Sequence, residues 1–305
     1  MSFCGIHSFC RTLILTFREF GHLFVHIEHS FFDRRFNFTA QDLARFIALC
    51  PRLLTLSLER VIHDDDLLRV IRACQSCPVL TELTLDHCRS VSGELPDISR
   101  HCTALTQLKL IGSYFSPTSY SRLGGLRKLK QLTLKSCGRF NSECFAGCAE
   151  GGMKLTELVI DGGRSDMVEF GGIGFRSFIG APISQSLERL VVRNNTAQFD
   201  ADLAAVILAC PNLRIVSPLP WRDQDIANFC WSYPSSSLKH LSEIHLTGCS
   251  ELTIAGPLLL ATYLPTLKVI DLTACKPHFA DADVYSLRYR FRHIEFRFIF
   301  DIRPY

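Results

Sequence analysis

Residues 77–88 read Cys77-Pro78-Val79-Leu80-Thr81-Glu82-Leu83-Thr84-Leu85-Asp86-His87-Cys88. Leu83 and Leu85 alternate with Glu82, Thr84 and Asp86, the period-2 pattern of a strand with one buried face. The pattern returns eight more times, with its first leucine at 53, 105, 129, 155, 187, 213, 241 and 267. Successive copies are 24 to 32 residues apart. A fixed period in that range marks a solenoid, in which each unit leaves an apolar face that only its neighbours can cover. Leu213…Val216 is the weakest copy, because Pro218 takes its last apolar slot.

Between strands the period changes. Leu43, Phe46, Ile47 and Cys50 lie at i, i+3, i+4 and i+7, as do Leu203, Val206, Ile207 and Cys210, so each set forms one stripe of a helix. Asp42, Asp202 and the run Asp64-Asp65-Asp66 stand where helices should begin, near free amides and the positive dipole end. Proline after the cysteine (Pro51, Pro78, Pro211) stops the helix and biases the chain toward extension. The expected fold is an α/β solenoid, a curved horseshoe with a parallel sheet on its concave side and helices on its convex side. Residues 40–275 form the repeat array. Residues 1–39 are an atypical N-terminal segment with a degenerate first repeat, Cys10-Arg11-Thr12-Leu13-Ile14-Leu15, and 276–305 a partial repeat or cap with a last strand at Phe291–Phe296.

These residues carry a family resemblance. A cysteine three positions after the strand (Cys88, Cys137, Cys249, Cys275) and the Cys-Pro openings resemble leucine-rich repeats of the cysteine-containing, ribonuclease-inhibitor-like subclass, found in the repeat regions of F-box proteins. The resemblance implies a non-enzymatic protein-interaction module, the substrate-recognition array of an SCF ubiquitin-ligase subunit. Its partners would be a ubiquitination substrate and, through an F-box, a cullin-ligase adaptor. Residues 1–39 are too short and strand-like for an F-box, so either that segment lies outside this chain or the array recognises partners without docking to a cullin adaptor. The alternatives are a non-ligase scaffold or inhibitor, and a GTPase-activating repeat protein needing one exposed arginine, for which Arg60, Arg89 and Arg193 are equivalent candidates.

Composition agrees. Apolar residues make up 47% of the 305, and mean hydropathy is +0.15, as expected when every unit feeds a continuous core. A net charge of +3 is too small to imply nucleic acid, and no apolar run reaches the ~20 residues of a membrane helix. Fourteen cysteines at repeat-locked positions suggest buried reduced thiols and a cytoplasmic or nuclear setting, not a disulfide framework. Cys74-Gln75-Ser76-Cys77 has no second pair at zinc spacing, and His22, His26 and His29 fit a strand as well as a helix. No catalytic motif emerges, and no cofactor or metal is expected.

Binding is expected on side chains facing out between the buried strand positions. The candidates are Glu59, Glu82 and Asp86 at an acidic start, Lys109, Lys135, Arg189 and Arg193 in a basic middle, and Asp161, His245 and Asp271. They suit a protein partner of mixed charge. Loops 162–174 and 217–237, the latter with Trp221, Trp231 and Tyr233, are expected to rim that surface.

Overall fold

The computed structural model describes residues 2–3, 21–30, 39–61, 63–88, 94–137, 144–162, 175–193, 201–218, 220–232, 238–275 and 279–298. Within them lies one parallel sheet of twelve strands in chain order. The strands are β1 (Ser2–Phe3), β2 (His26–Ser30), β3 (Thr55–Glu59), β4 (Glu82–Asp86), β5 (Gln107–Ile111) and β6 (Gln131–Lys135). The sheet continues with β7 (Glu157–Asp161), β8 (Arg189–Arg193), β9 (Ile215–Pro218), β10 (Glu243–His245), β11 (Val269–Asp271) and β12 (Glu295–Arg297). Pairing is in register, so Leu56, Leu83, Leu108, Leu132, Leu158 and Leu190 form one inward row. The leucines that open the copies, Leu53, Leu80, Leu105, Leu129 and Leu155, stack as a second ladder at 0% exposure.

Among the described residues ten α-helices return the chain between strands: α1 (Ala40–Ile47), α2 (Asp64–Ala73), α3 (Ile98–His101), α4 (Pro117–Ser121) and α5 (Ala146–Glu150), then α6 (Pro182–Ser186), α7 (Ala201–Ala209), α8 (Asp223–Ser232), α9 (Ala255–Tyr263) and α10 (Asp281–Arg290). Thr39 caps α1: its hydroxyl accepts from the Asp42 amide and the Asp42 carboxylate accepts from the Thr39 amide, both at 3.2 Å. The acidic run 64–66 opens α2. From α3 to α6 the helix shrinks to four or five residues, while other units of similar length hold nine-residue helices (α7, α9). Neighbouring units then close in on glycine: a Cβ at Gly124 would stand 1.8 Å from the Gly147 carbonyl oxygen.

The twelve cysteines among the described residues are free and buried. Those after the strands donate to a carbonyl one repeat back: Cys88 to Leu58 at 3.5 Å, Cys137 to Leu110 at 3.2 Å and Cys275 to Leu246 at 2.9 Å. Cys77, of a Cys-Pro opening, likewise reaches the Cys50 carbonyl at 3.3 Å. The period of the thiols is therefore the period of the interfaces between repeats.

At the N-terminal side, His26–Ser30 is a strand and not a helix; His26 and His29 fall on opposite faces, so the helical spacing of the histidines brings nothing together. Cys10–Leu15, read as a degenerate strand, lies outside the described residues. At the C-terminal side β12 pairs with β11, and Phe298 packs edge-on against Phe279 at 5.8 Å. The Arg288 guanidinium lies 5.6 Å from the Phe298 ring and donates to the Phe296 carbonyl at 3.3 Å.

Candidate functional site

Alternation along each strand sends every second side chain to the concave face, and parallel registry lines them up in rows. One row runs Glu82, Gln107, Gln131, Glu157, Arg189; the next Ser57, Thr84, Lys109, Thr133, Val159, Val191; the third Glu59, Asp86, Ile111, Lys135, Asp161, Arg193. The sequence-derived candidates Glu59 to Arg193 thus share one surface. His245 and Asp271 stand opposite each other on β10 and β11, further along the same sheet.

Charge on this face is zoned. From β2 to β4 the outward strand positions hold Glu28, Glu59, Glu82 and Asp86 and no lysine or arginine. From β5 to β8 they hold Lys109, Lys135, Arg189 and Arg193 with Glu157 and Asp161. Several of these are already paired: Arg189 Nε lies 3.1 Å from Glu157, and His245 sits 3.1 Å from Glu243 and 3.8 Å from Asp271. Arg297 grips Glu295 through two contacts of 2.9 and 3.1 Å, which lowers the Glu295 pKa. Among the described residues the Nε of Arg193, like that of Arg189, is enclosed and makes no hydrogen bond. An enclosed N–H without an acceptor is costly and fits a group awaiting one.

Outward placement does not guarantee access. Val191 is 2% exposed and Ser217 1%, so the concave row is closed to solvent at β8 and β9. The rim assignments need larger correction. Residues 217–237 are not a loop: Ser217 and Pro218 finish β9, and 223–232 form α8. Trp221 is 4% exposed and packs against Phe229 at 5.2 Å, so it fills core. Trp231 is 74% exposed, but it borders a groove between α8 and α9 with Ala255, Leu258 and Leu259, on the helical side. Tyr233 and residues 163–174 lie outside the described residues.

Sequence reading also missed the turn after the strand. Arg60, His87, Ser136 and Ala274 have φ of 60°, 50°, 51° and 57°, values that favour glycine, as at Gly112 and Gly248. Their placement directs the amide to the next repeat: His87 N–H donates to Ile111 and Ser136 N–H to Asp161, both at 2.6 Å. Only the glycines at two of these positions could have signalled it.

No helix among the described residues is long and apolar enough to cross a membrane. No family model and no curated protein matches this chain. Solved structures do. A chain of the yeast Rad7 and Elc1 complex aligns over 92% of this chain and 72% of its own length, with 16% identity and a TM-score of 0.58. An internalin (InlF) from Listeria monocytogenes aligns over 74% of this chain and 62% of its own length, at 14% identity and a TM-score of 0.47. The in-register parallel sheet, the helical return in every unit and this likeness together make the fold a curved α/β solenoid of the leucine-rich-repeat kind.

Proposed function

We propose that this chain is a protein-recognition array that binds its partner on the concave sheet and catalyses no reaction. The observation that carries the reading is the largely polar concave rows of β3 to β7, with an acidic zone beside a basic one that reaches Arg189 and Arg193 on β8. Such zoning steers a partner of mixed charge and fixes its register. In finer terms the chain is a substrate-recognition subunit of an SCF-type ubiquitin ligase, of the ribonuclease-inhibitor-like subclass, working in the cytoplasm or nucleus. The support is the cysteine pattern of the repeats and the fold likeness to a chain from a complex in which Rad7 is assembled with Elc1.

The test uses charge reversal. Changing Lys109, Lys135 and Arg193 together to Glu should weaken capture of the partner; Lys135 is exposed and Lys109 and Arg193 half-buried, so the same three positions changed to Gln should give the same loss at the parent's melting temperature. Arg45→Glu with Arg69→Glu, on α1 and α2, is the control. Loss of capture in the control but not in the triple variant places recognition on the helical side and ends this reading. A ligase role is tested separately, by whether the longest natural form of the protein co-purifies with a cullin adaptor.

A further inference from the structure

The N-terminal edge of the sheet is a surface distinct from the concave face. Each strand is entered through a tight turn, and the residue after the ladder leucine joins the repeats through its backbone. Lys130 N–H donates to Thr106, Thr156 to Lys130, Glu188 to Thr156, Arg214 to Glu188, Ser242 to Arg214 and Lys268 to Ser242, all at 2.8–2.9 Å. These residues therefore form one file along the N-terminal edge of the sheet, about 4.8 Å apart. The turns just before them add Arg127, Lys128, Lys154, Lys239 and Arg292, all exposed. Against these cations the file itself holds one carboxylate, Glu188, 3.8 Å from Arg214.

The charge is densest at the C-terminal end. Arg214, Lys239, His240, Lys268 and His293 surround an open cleft of about 690 Å³, together with the hydroxyl residues Ser242 and Thr266 and no carboxylate. Among the described residues Lys239 and Lys268 have no ion-pair partner. The nearest strand carboxylates, Glu243 and Glu295, turn onto the concave face, where His245 and Arg297 hold them. Helix C-termini also point at this edge and favour cations, yet that effect fades within one turn and does not account for a cleft lined by five basic side chains.

We propose that this edge binds an extended acidic protein segment, independently of whatever the concave face recognises. Solvated cations spaced along a line match carboxylates on an extended chain, each contact being weak and the set additive. Nucleic acid fits less well: apart from the imidazoles of His240 and His293 the cleft offers no ring for a base to stack on, and the net charge of the chain is only +3.

Fluorescence anisotropy of a labelled peptide of about ten glutamates, which spans ~33 Å when extended, tests the proposal on the full chain. Binding should fall steeply with salt, and the matching glutamine peptide should not bind. Arg214→Glu, Lys239→Glu and Lys268→Glu together should weaken binding by about tenfold or more, and the concave triple reversal by no more than about twofold. If the reversed variant melts early, the same three positions changed to Gln should still give a clear loss at unaltered melting temperature. Equal affinity of the edge variant and the parent, or equal loss in the concave variant, would overturn the site. Tighter binding of a DNA or RNA duplex than of the peptide would overturn the proposed ligand. Because the two variant sets are separate, failure here leaves the concave-face reading standing, and the reverse.

Discussion

At the scale of single residues, the turn after each strand is where side-chain identity and backbone demand disagree. Ala274 is exposed and holds φ at 57°, a region where a Cβ crowds the following carbonyl and costs roughly 1–2 kcal/mol. Gly248, one repeat earlier, occupies the equivalent turn at φ 82°. Ala274→Gly should therefore raise stability by about 0.5–1 kcal/mol, the relief of strain exceeding the extra chain entropy that glycine loses. Equilibrium urea unfolding reads this directly, and a decrease in stability would mean the position is not strained. The cysteines show the opposite case. Their spacing predicted burial, and the structure adds the reason for that spacing, a thiol donating to a carbonyl of the neighbouring repeat.

At the scale of elements, strands were easier to read than helices or loops. Strand alternation depends only on which residues are apolar, so Leu83 and Leu85, or Leu108 and Leu110, announce it directly. The sequence points to a loop over 217–237, following the weakest copy, where Pro218 takes the last apolar slot; in the fold the stretch holds a ten-residue helix whose Phe229 meets Trp221 in the core. β2 gives a pH prediction. His29 is paired with Leu58 in the sheet, and burial lowers its pKa from 6.5 to about 4. Between those values the unfolded chain holds a proton that the folded one excludes. This element's contribution is thus complete above pH 6.5 and is lost as pH falls toward 4. His29→Leu should flatten the dependence of the urea midpoint on pH across that window, leaving the smaller slope from His101, whose pKa is also lowered by desolvation. An unchanged slope would show that His29 is solvated.

At the scale of the whole molecule, the array behaves as one core whose thiols are shut away. Burial pushes Cys50, Cys77, Cys137 and Cys210 up to about 12, so almost no thiolate forms near neutral pH. Titration with a thiol reagent at pH 8 should find the twelve described cysteines unreactive in the native protein, and all fourteen after denaturation without reductant. Rapid native labelling of Cys88 or Cys137 would contradict the packed interfaces. The sequence alone determined the repeat, the strand register and the direction of each strand side chain, since apolar periodicity is local and recurs until chance is excluded. It also placed Glu59, Glu82, Asp86, Lys109, Lys135, Asp161, Arg189 and Arg193 on one surface. Only the tertiary structure decided that Val191 is closed off, that Trp231 belongs to the helical side, and that Arg214, Lys239 and Lys268 meet around a cleft. Those facts depend on how far each repeat turns against the next. That rotation comes from packing between units such as Gly124 against Gly147, and no window of a single repeat contains it.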